Sequence, residues 1–395
     1  MQLTSTAHAI WSGGRYVPFG RPLSEHRLQE LARAAYEKGV RTFVTSDVYG
    51  EGAADRVLGE ALSGFARDSF SLVALIGHDI YHGERDGRGI LPRFTDASLR
   101  GPDQYGSYLC MATERALHRC NTDYFDAVLL HNPDQVGYTH RSVWEGMTDL
   151  RARGLARLTG LAPGPANGFA LDIINCFERF GEVINWAMII INPLEPWPMQ
   201  AVLPAAAKHN VALMARVVEC GGLFHDDITD DLNLSPRDHR RHRPRGWVDV
   251  GAAQREQLRP IAEAHGLTML QFACAWALSK TSVKSVVPTL IQERGSHRKS
   301  IESQLLELAA LPEEVRFKSA EQRRIQTIGD NRRCPVFSQN YKGGSPAYHG
   351  PTLQDRWAMT PELEAVAGRW EISLEAEQFL QYDGQNKQRA LVTAR

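Results

Sequence analysis

The chain has 395 residues, 43% hydrophobic and 23% charged, and a formal net charge of -1. That is globular composition, long enough for one large α/β barrel with additions or for two domains, and the near-zero charge argues against a nucleic-acid or other polyanion partner. No apolar stretch approaches the ~18–20 residues that span a bilayer, and the start, MQLTSTAHAIWSGGRY, has no basic segment followed by an apolar run, so neither membrane nor secretion is expected.

Apolar spacing alternates between the periods of strand and helix along the chain. An opening strand is expected near AHAIWSG (7–13), a helix over 23–39 that ends in glycine, and a β-branched strand over 40–46. A helix follows in AADRVLGEALSGF, a buried strand over 70–77, a polar loop over 78–103, the helix YLCMATERALHRC and the strand YFDAVLLHN (124–132). The alternation continues through RSVWEGMTDLRARG (helix), ARLTGLA (strand), FALDIINCFERFG (helix), VINWAMIIIN (strand), PMQAVLPAAAKHN (helix) and VALMARVVE (strand). Two helices, REQLRPIAEAHG and MLQFACAWALSK, precede the strand VKSVVPT and the helix KSIESQLLELAAL. About eight strand–helix units make the (β/α)8 TIM barrel the expected fold, an α/β class. Two stretches break the rhythm: a polar insert over 219–250, whose basic run RDHRRHRPR reads as a solvated loop, and residues 330–395, rich in Gly, Pro and polar residues with one short helix at PELEAVAGRW. The aromatic content of this tail suggests an extension packed on the barrel or over its mouth. The expected domains are a barrel over 1–315 and a C-terminal extension over 316–395. The six cysteines are scattered with no CxxC pair, and read as reduced thiols of a cytoplasmic protein.

Four stretches, in order, resemble the aldo-keto reductases: GVRTFVTSDVYGEGAADRVLGEAL (39–62), CNTDYFDAVLLHNPD (120–134), GLARLTGLAPGPA (154–166) and VINWAMIIINPLEP (183–196). The resemblance spans roughly residues 5–315. It implies an NADP(H)-dependent reductase with an Asp, Tyr, Lys and His tetrad at the barrel mouth. The family tyrosine falls on Tyr49 and the family histidine on His131. The family aspartate position is Val44, with Asp47 nearby but in the following loop, and the family lysine position is close to Leu75. No lysine occurs from residue 39 through 207. The positions implied to hold the nicotinamide amide carry Ala162, Pro163 and Met188. In the strand-8 phosphate turn Pro288 is kept, but Thr289 stands where glycine lets backbone N–H groups approach a phosphate.

Without the lysine and aspartate, Tyr49 is expected near its ordinary pKa of ~10, a neutral hydrogen-bond donor. His131, ordinarily near ~6.5, is then free to serve as base or acid, and is expected to be the main proton-transfer group. GHDIYHG (77–83) adds His78, Asp79 and His82 to the same rim, and VVECGGLFHDD (217–227) adds Glu219 and His225. His78 and Glu219 are candidates to replace the missing acid/base groups, or to ligate a metal with His131. The plainer alternatives are packing roles for Tyr49 and His131 and a solvated polar rim. The sequence therefore leads to an aldo-keto-reductase-like enzyme with Tyr49, His131, His78 and Glu219 as catalytic residues. No NADP(H) cofactor and no bound metal are expected. The expected reaction is of lyase, dehydratase or isomerase type, on a small polar hydroxy-carbonyl substrate, sugar-derived among the options. The first alternative is an NADP-dependent oxidoreductase with an altered site, the second a non-catalytic binding protein on the same barrel.

Overall fold

The eight apolar runs form one parallel sheet in the order β1 to β8, in a computed structural model that describes residues 3–87, 89–164, 169–230, 234–334, 336–337, 357–374 and 382–383. The strands are β1 (Ala7–Ala9), β2 (Thr42–Ser46), β3 (Ser71–Ile76), β4 (Phe125–His131), β5 (Ala156–Ala162), β6 (Trp186–Ile190), β7 (Ala212–Arg216) and β8 (Val283–Val287). A bridge between Thr6 and Val286, with the Val286 N–H donating to Ser5 O, joins the last strand to the first. The strands read as near-continuous apolar runs because both faces are buried. Val44, Val73, Leu75, Leu129, Met188, Met214 and Val287 fill the barrel interior, while a larger apolar cluster lies between sheet and helices.

The helices around the sheet are α1 (Glu25–Glu37), α2 (Ala53–Leu62), α3 (Tyr105–Cys120), α4 (Gln135–Thr139), α5 (Arg141–Ala152), α6 (Ala170–Phe180) and α7 (Val202–Lys208), then α8 (Trp247–Ala264), α9 (Met269–Leu278) and α10 (Ile301–Ala309). Their limits follow local chemistry. In α1 the Ser24 side chain accepts from the Arg27 N–H, and Leu28, Leu31, Ala32 and Ala35 share the buried face. In α9 Thr268 and Gln271 form a reciprocal capping box.

Three expectations change. The opening strand is three residues long, because the chain turns away after Ala9 toward the barrel mouth. Helix α8 starts at Trp247, inside the stretch read as polar insert, since Trp247 and Val248 are buried. The basic run is only in part a solvated loop: Arg237, Arg241 and Arg245 are exposed, but Arg240 and Arg243 are not. Arg240 is 2% exposed and bridges Asp238, the Gly221 carbonyl and Glu293, while Arg243 pairs with Glu195 through two 2.9 Å contacts. These guanidiniums satisfy distant carboxylates, which a local reading of composition cannot reveal.

Beyond the barrel, α11 (Ser319–Ile328) packs on α8, with Gln254 Nε2 donating to Ile328 O. The Asn331 side chain accepts from the Trp197 N–H and donates to the carbonyls of Trp197 and Phe337. Helix α12 (Pro361–Arg369) lies on α6, where Trp370 Nε1 donates to Glu178 at 2.9 Å. Of the stretch expected as an extension, 335, 338–356, 375–381 and 384–395 lie outside the described residues.

Candidate active site

In a parallel barrel every strand delivers its last residues to one rim. Here that rim opens into a cavity of about 420 Å³, lined on its polar side by Tyr49, His131, Asn132, Glu195, Arg216 and Glu219, and on its apolar side by Trp11, Val17, Phe19, Leu75, Met188 and Phe337. Three of the four residues singled out from the sequence, Tyr49, His131 and Glu219, come together in it. His78 does not line it. The His78 ring packs edge-on behind His131 at 5.3 Å between centroids, and its Nε2 accepts from Arg93 Nη1 at 2.8 Å. Burial, then Arg93, holds His78 well below the usual histidine range, so it is a neutral support. Asp79 is tied to Arg100 and His225 to Thr289 O, and neither lines the cavity.

His131 ends β4. The Ser46 O–H donates to Leu75 O at 3.1 Å, so the Ser46 oxygen accepts from His131 Nδ1–H at 3.0 Å. A hydroxyl has one hydrogen, so this pair fixes the tautomer and leaves Nε2 as an acceptor. Burial, followed by the charges of Arg93 and Arg216, lowers the His131 pKa to about 3. The expectation of a histidine that titrates near neutrality is corrected: His131 is a neutral acceptor. Tyr49 meets His131 edge-on at 5.9 Å and Trp11 at 5.9 Å. Burial pushes its pKa up to about 12, above the ordinary value anticipated, with Arg216 acting in the opposite direction. Its hydroxyl stays protonated.

Glu219 follows β7 and is 2% exposed. Its Oε2 accepts from the Thr289 N–H at 3.0 Å. Burial raises its pKa to about 7, against the opposing pull of backbone N–H groups. The next two N–H groups after β8 are also taken: Leu290 donates to Ser12 Oγ at 3.1 Å and Ile291 to Gln304 Oε1 at 2.9 Å.

Val44 and Leu75 are packed in the barrel interior, 0% and 2% exposed, and Ser46 pairs with Leu75 in register. Asp47 is buried outside the cavity, where burial and then Asp55 push its carboxyl well above the usual range. Among the described residues no group of three or more His, Cys, Asp or Glu side chains could hold a metal ion, and no helix is long and apolar enough to cross a membrane.

The sequence reading missed Arg216 and Asn132. Arg216 ends β7, and its Nη2 donates to Pro163 O at 2.9 Å. Asn132 follows His131 with φ 45°. A guanidinium closing the apolar run ALMAR was the available signal, since a charge rarely ends a buried strand without a purpose.

Comparison with known proteins adds four findings. A model described as Aldo/keto reductase family matches residues 11–309. A protein of Arabidopsis thaliana named "Probable voltage-gated potassium channel subunit beta" is 24% identical over 297 residues, covering 71% of this chain and 83% of that protein. Among solved structures, glycerol dehydrogenase from Gluconobacter oxydans superposes with TM-score 0.65 at 19% identity, covering 89% of this chain and 96% of that one. An aldo/keto reductase from Klebsiella pneumoniae, solved with NADP and acetate, gives TM-score 0.54 at 19% identity, covering 85% and 92%. These similarities bear out the barrel and the family resemblance. The family description and the names of the two solved structures speak for oxidoreductases, the alternative drawn from the sequence, and none of the names is that of a lyase or dehydratase.

Proposed function

The chain belongs to the aldo/keto reductase family, and we propose that on this scaffold it is an enzyme that moves a proton beside the carbonyl of a small hydroxy-carbonyl compound, without hydride transfer. The observation that carries this reading is Glu219, a buried carboxyl that titrates near pH 7 in the same cavity as Tyr49 and His131. As a carboxylate, Glu219 removes a proton from the carbon next to the carbonyl. The electron pair moves onto the carbonyl oxygen, and the Tyr49 O–H donates a hydrogen bond to the resulting enolate. His131 Nε2 accepts from a substrate hydroxyl and orients it. Protonated Glu219 then returns its proton, either to the neighbouring carbon while the substrate's own hydroxyl proton passes to the enolate oxygen, completing an isomerisation, or to a departing β-hydroxyl, which leaves as water.

The residues implied to seat NADP(H) fit it poorly. The three consecutive N–H groups after β8 already have partners in the chain, one of them the Glu219 carboxyl. In the implied nicotinamide position the Arg216 guanidinium holds Pro163 O, and the side chains offered there are Ala162, Pro163 and Met188. A buried amide without partners costs ~1–3 kcal/mol, so two or three such losses weaken binding about a hundredfold or more. The second reading, an NADP-dependent oxidoreductase, is favoured by family membership and by the relative solved with NADP.

Two measurements separate the readings. Calorimetry should give no micromolar dissociation constant for NADPH. In D2O without cofactor, the wild type should exchange the α-proton of small hydroxy-carbonyl compounds, followed by NMR, and Glu219→Gln should lose that exchange ~10²–10⁴-fold. Micromolar NADPH binding with no exchange would hand the case to the oxidoreductase.

A further inference from the structure

We propose that Arg216 is the anchor for a carboxylate on the substrate, which makes the substrate class a hydroxy-carbonyl acid. The reacting groups are those of the function proposed above, and the anchor itself rests on separate geometry.

Strand β7 carries Leu213, Met214 and Ala215 into the core and ends in Arg216 at the cavity wall. A guanidinium has five N–H donors in a planar fork. Arg216 uses one hydrogen bond, to Pro163 O, and among the described residues it has no carboxylate in ion-pair reach. Four other sheltered arginines are neutralised within the chain: Arg240 by Asp238 and Glu293, Arg243 by Glu195, Arg119 by Asp55, and Arg100 by Asp79. Removing a charge from water without a partner is costly, so an uncompensated guanidinium facing a cavity marks a place for an anion.

The acidic groups that face Arg216 are committed elsewhere. Glu195 holds Arg243 with both oxygens, and Glu219, whose charge acts on Arg216 without an ion-pair contact, accepts the Thr289 N–H. A second polar group stands beside the fork. An added Cβ on Gly164 would lie 2.9 Å from Arg216 Nη2 and 2.4 Å from Asn132 Oδ1, so both side chains converge over that glycine. The planar guanidinium fork, with donors left over after Pro163 O, matches a planar carboxylate. A phosphate dianion is the poorer match, because Arg240 and Arg243 are already neutralised and the N–H groups after β8 are occupied. Tyr49 and His131 lie close enough for the Arg216 charge to act on both. A carboxylate on Arg216 therefore places the adjacent carbonyl within the reacting groups.

The test is binding of pyruvate, pyruvamide and methyl phosphate, without cofactor, by calorimetry and by fluorescence of Trp11 in the cavity wall. Wild type should bind pyruvate at least about tenfold more tightly than pyruvamide or methyl phosphate. Arg216→Met should weaken pyruvate about ten- to hundredfold, as expected for hydrogen bonds to a charged group, and abolish the preference over the amide. Arg216→Lys, which keeps the cation if the methionine variant does not fold, should recover part of the preference. Equal binding of acid and amide by the wild type, wild-type pyruvate affinity in Arg216→Met, or tighter methyl phosphate binding would each overturn the proposal. Failure of the non-redox reading looks different: NADPH binds tightly while the acid-over-amide preference remains.

Discussion

At the scale of single residues, chemistry in the cavity is set by how far each group is kept from water. Glu219 has an ordinary carboxyl pKa of 4.5 in the unfolded chain and about 7 when buried. A raised carboxyl pKa means the folded state binds the proton more tightly. Stability from this group is therefore fully present below about pH 4.5, declines as pH rises toward 7, and stays lost above it. Glu219→Gln keeps an oxygen for the Thr289 N–H and removes the charge. We expect it to raise stability by an amount on the order of 2 kcal/mol at pH 8, with little change at pH 4, while proton exchange is lost. Urea denaturation at the two pH values checks this, and a variant less stable than wild type at pH 8 would refute the assigned titration. Such behaviour is not legible in the sequence. The motif around Tyr49 and the end of β4 at His131 were legible, but burial takes His131 out of the physiological range, moves Tyr49 further above it and brings Glu219 into it.

Among elements, the strands were the readable part, because a parallel sheet covered on both faces demands continuous apolar runs such as LVALI and AVLL. The insert after β7 was not readable, because its order comes from contacts distant in sequence. Arg240 reaches Glu293, beyond β8, and Arg243 reaches Glu195, beyond β6. Arg216 was missed for the related reason that its meaning lies in having no such partner among the described residues. Arg240 also holds Asp238, which accepts the Gly20 N–H, so one guanidinium ties the insert to the loop after β1 and the loop after β8. Arg240→Met would leave two sheltered carboxylates without a counter-charge. Breaking a buried pair this way costs ~3–5 kcal/mol, and the insert should become the first site of proteolytic cleavage. A loss under about 1 kcal/mol, with cleavage elsewhere, would show that the network contributes little.

Over the whole molecule, the described residues beyond 330 touch the barrel at two separated places. Near the mouth, Asn331 clamps Trp197, and Phe337, 3% exposed, forms part of the cavity wall. On the barrel side, Trp357 stacks on Phe169 at 5.0 Å and donates to Asp172 at 3.2 Å, while Leu363 and Val366 of α12 are buried. Each large apolar side chain buried here contributes ~1.5–3 kcal/mol. A chain ending at residue 330 should therefore lose on the order of 5 kcal/mol of stability and show a clearly lower thermal midpoint. The effect on the site differs in kind. Glu219, Tyr49, His131 and Arg216 all lie before the cut, so the reacting groups survive, but loss of Phe337 opens the cavity to water beside Arg243, which Phe337 faces at 6.0 Å. Water raises the local dielectric, which weakens both the pull of Arg216 on an anion and the donor strength of Tyr49 toward an enolate. Phe337→Ala separates the two effects. It leaves the α12 contacts intact, so it should keep most of the thermal midpoint while lowering pyruvate affinity and α-proton exchange together. If truncation and Phe337→Ala both leave exchange and affinity at wild-type values, the extension does not serve the cavity and its role is confined to the barrel wall.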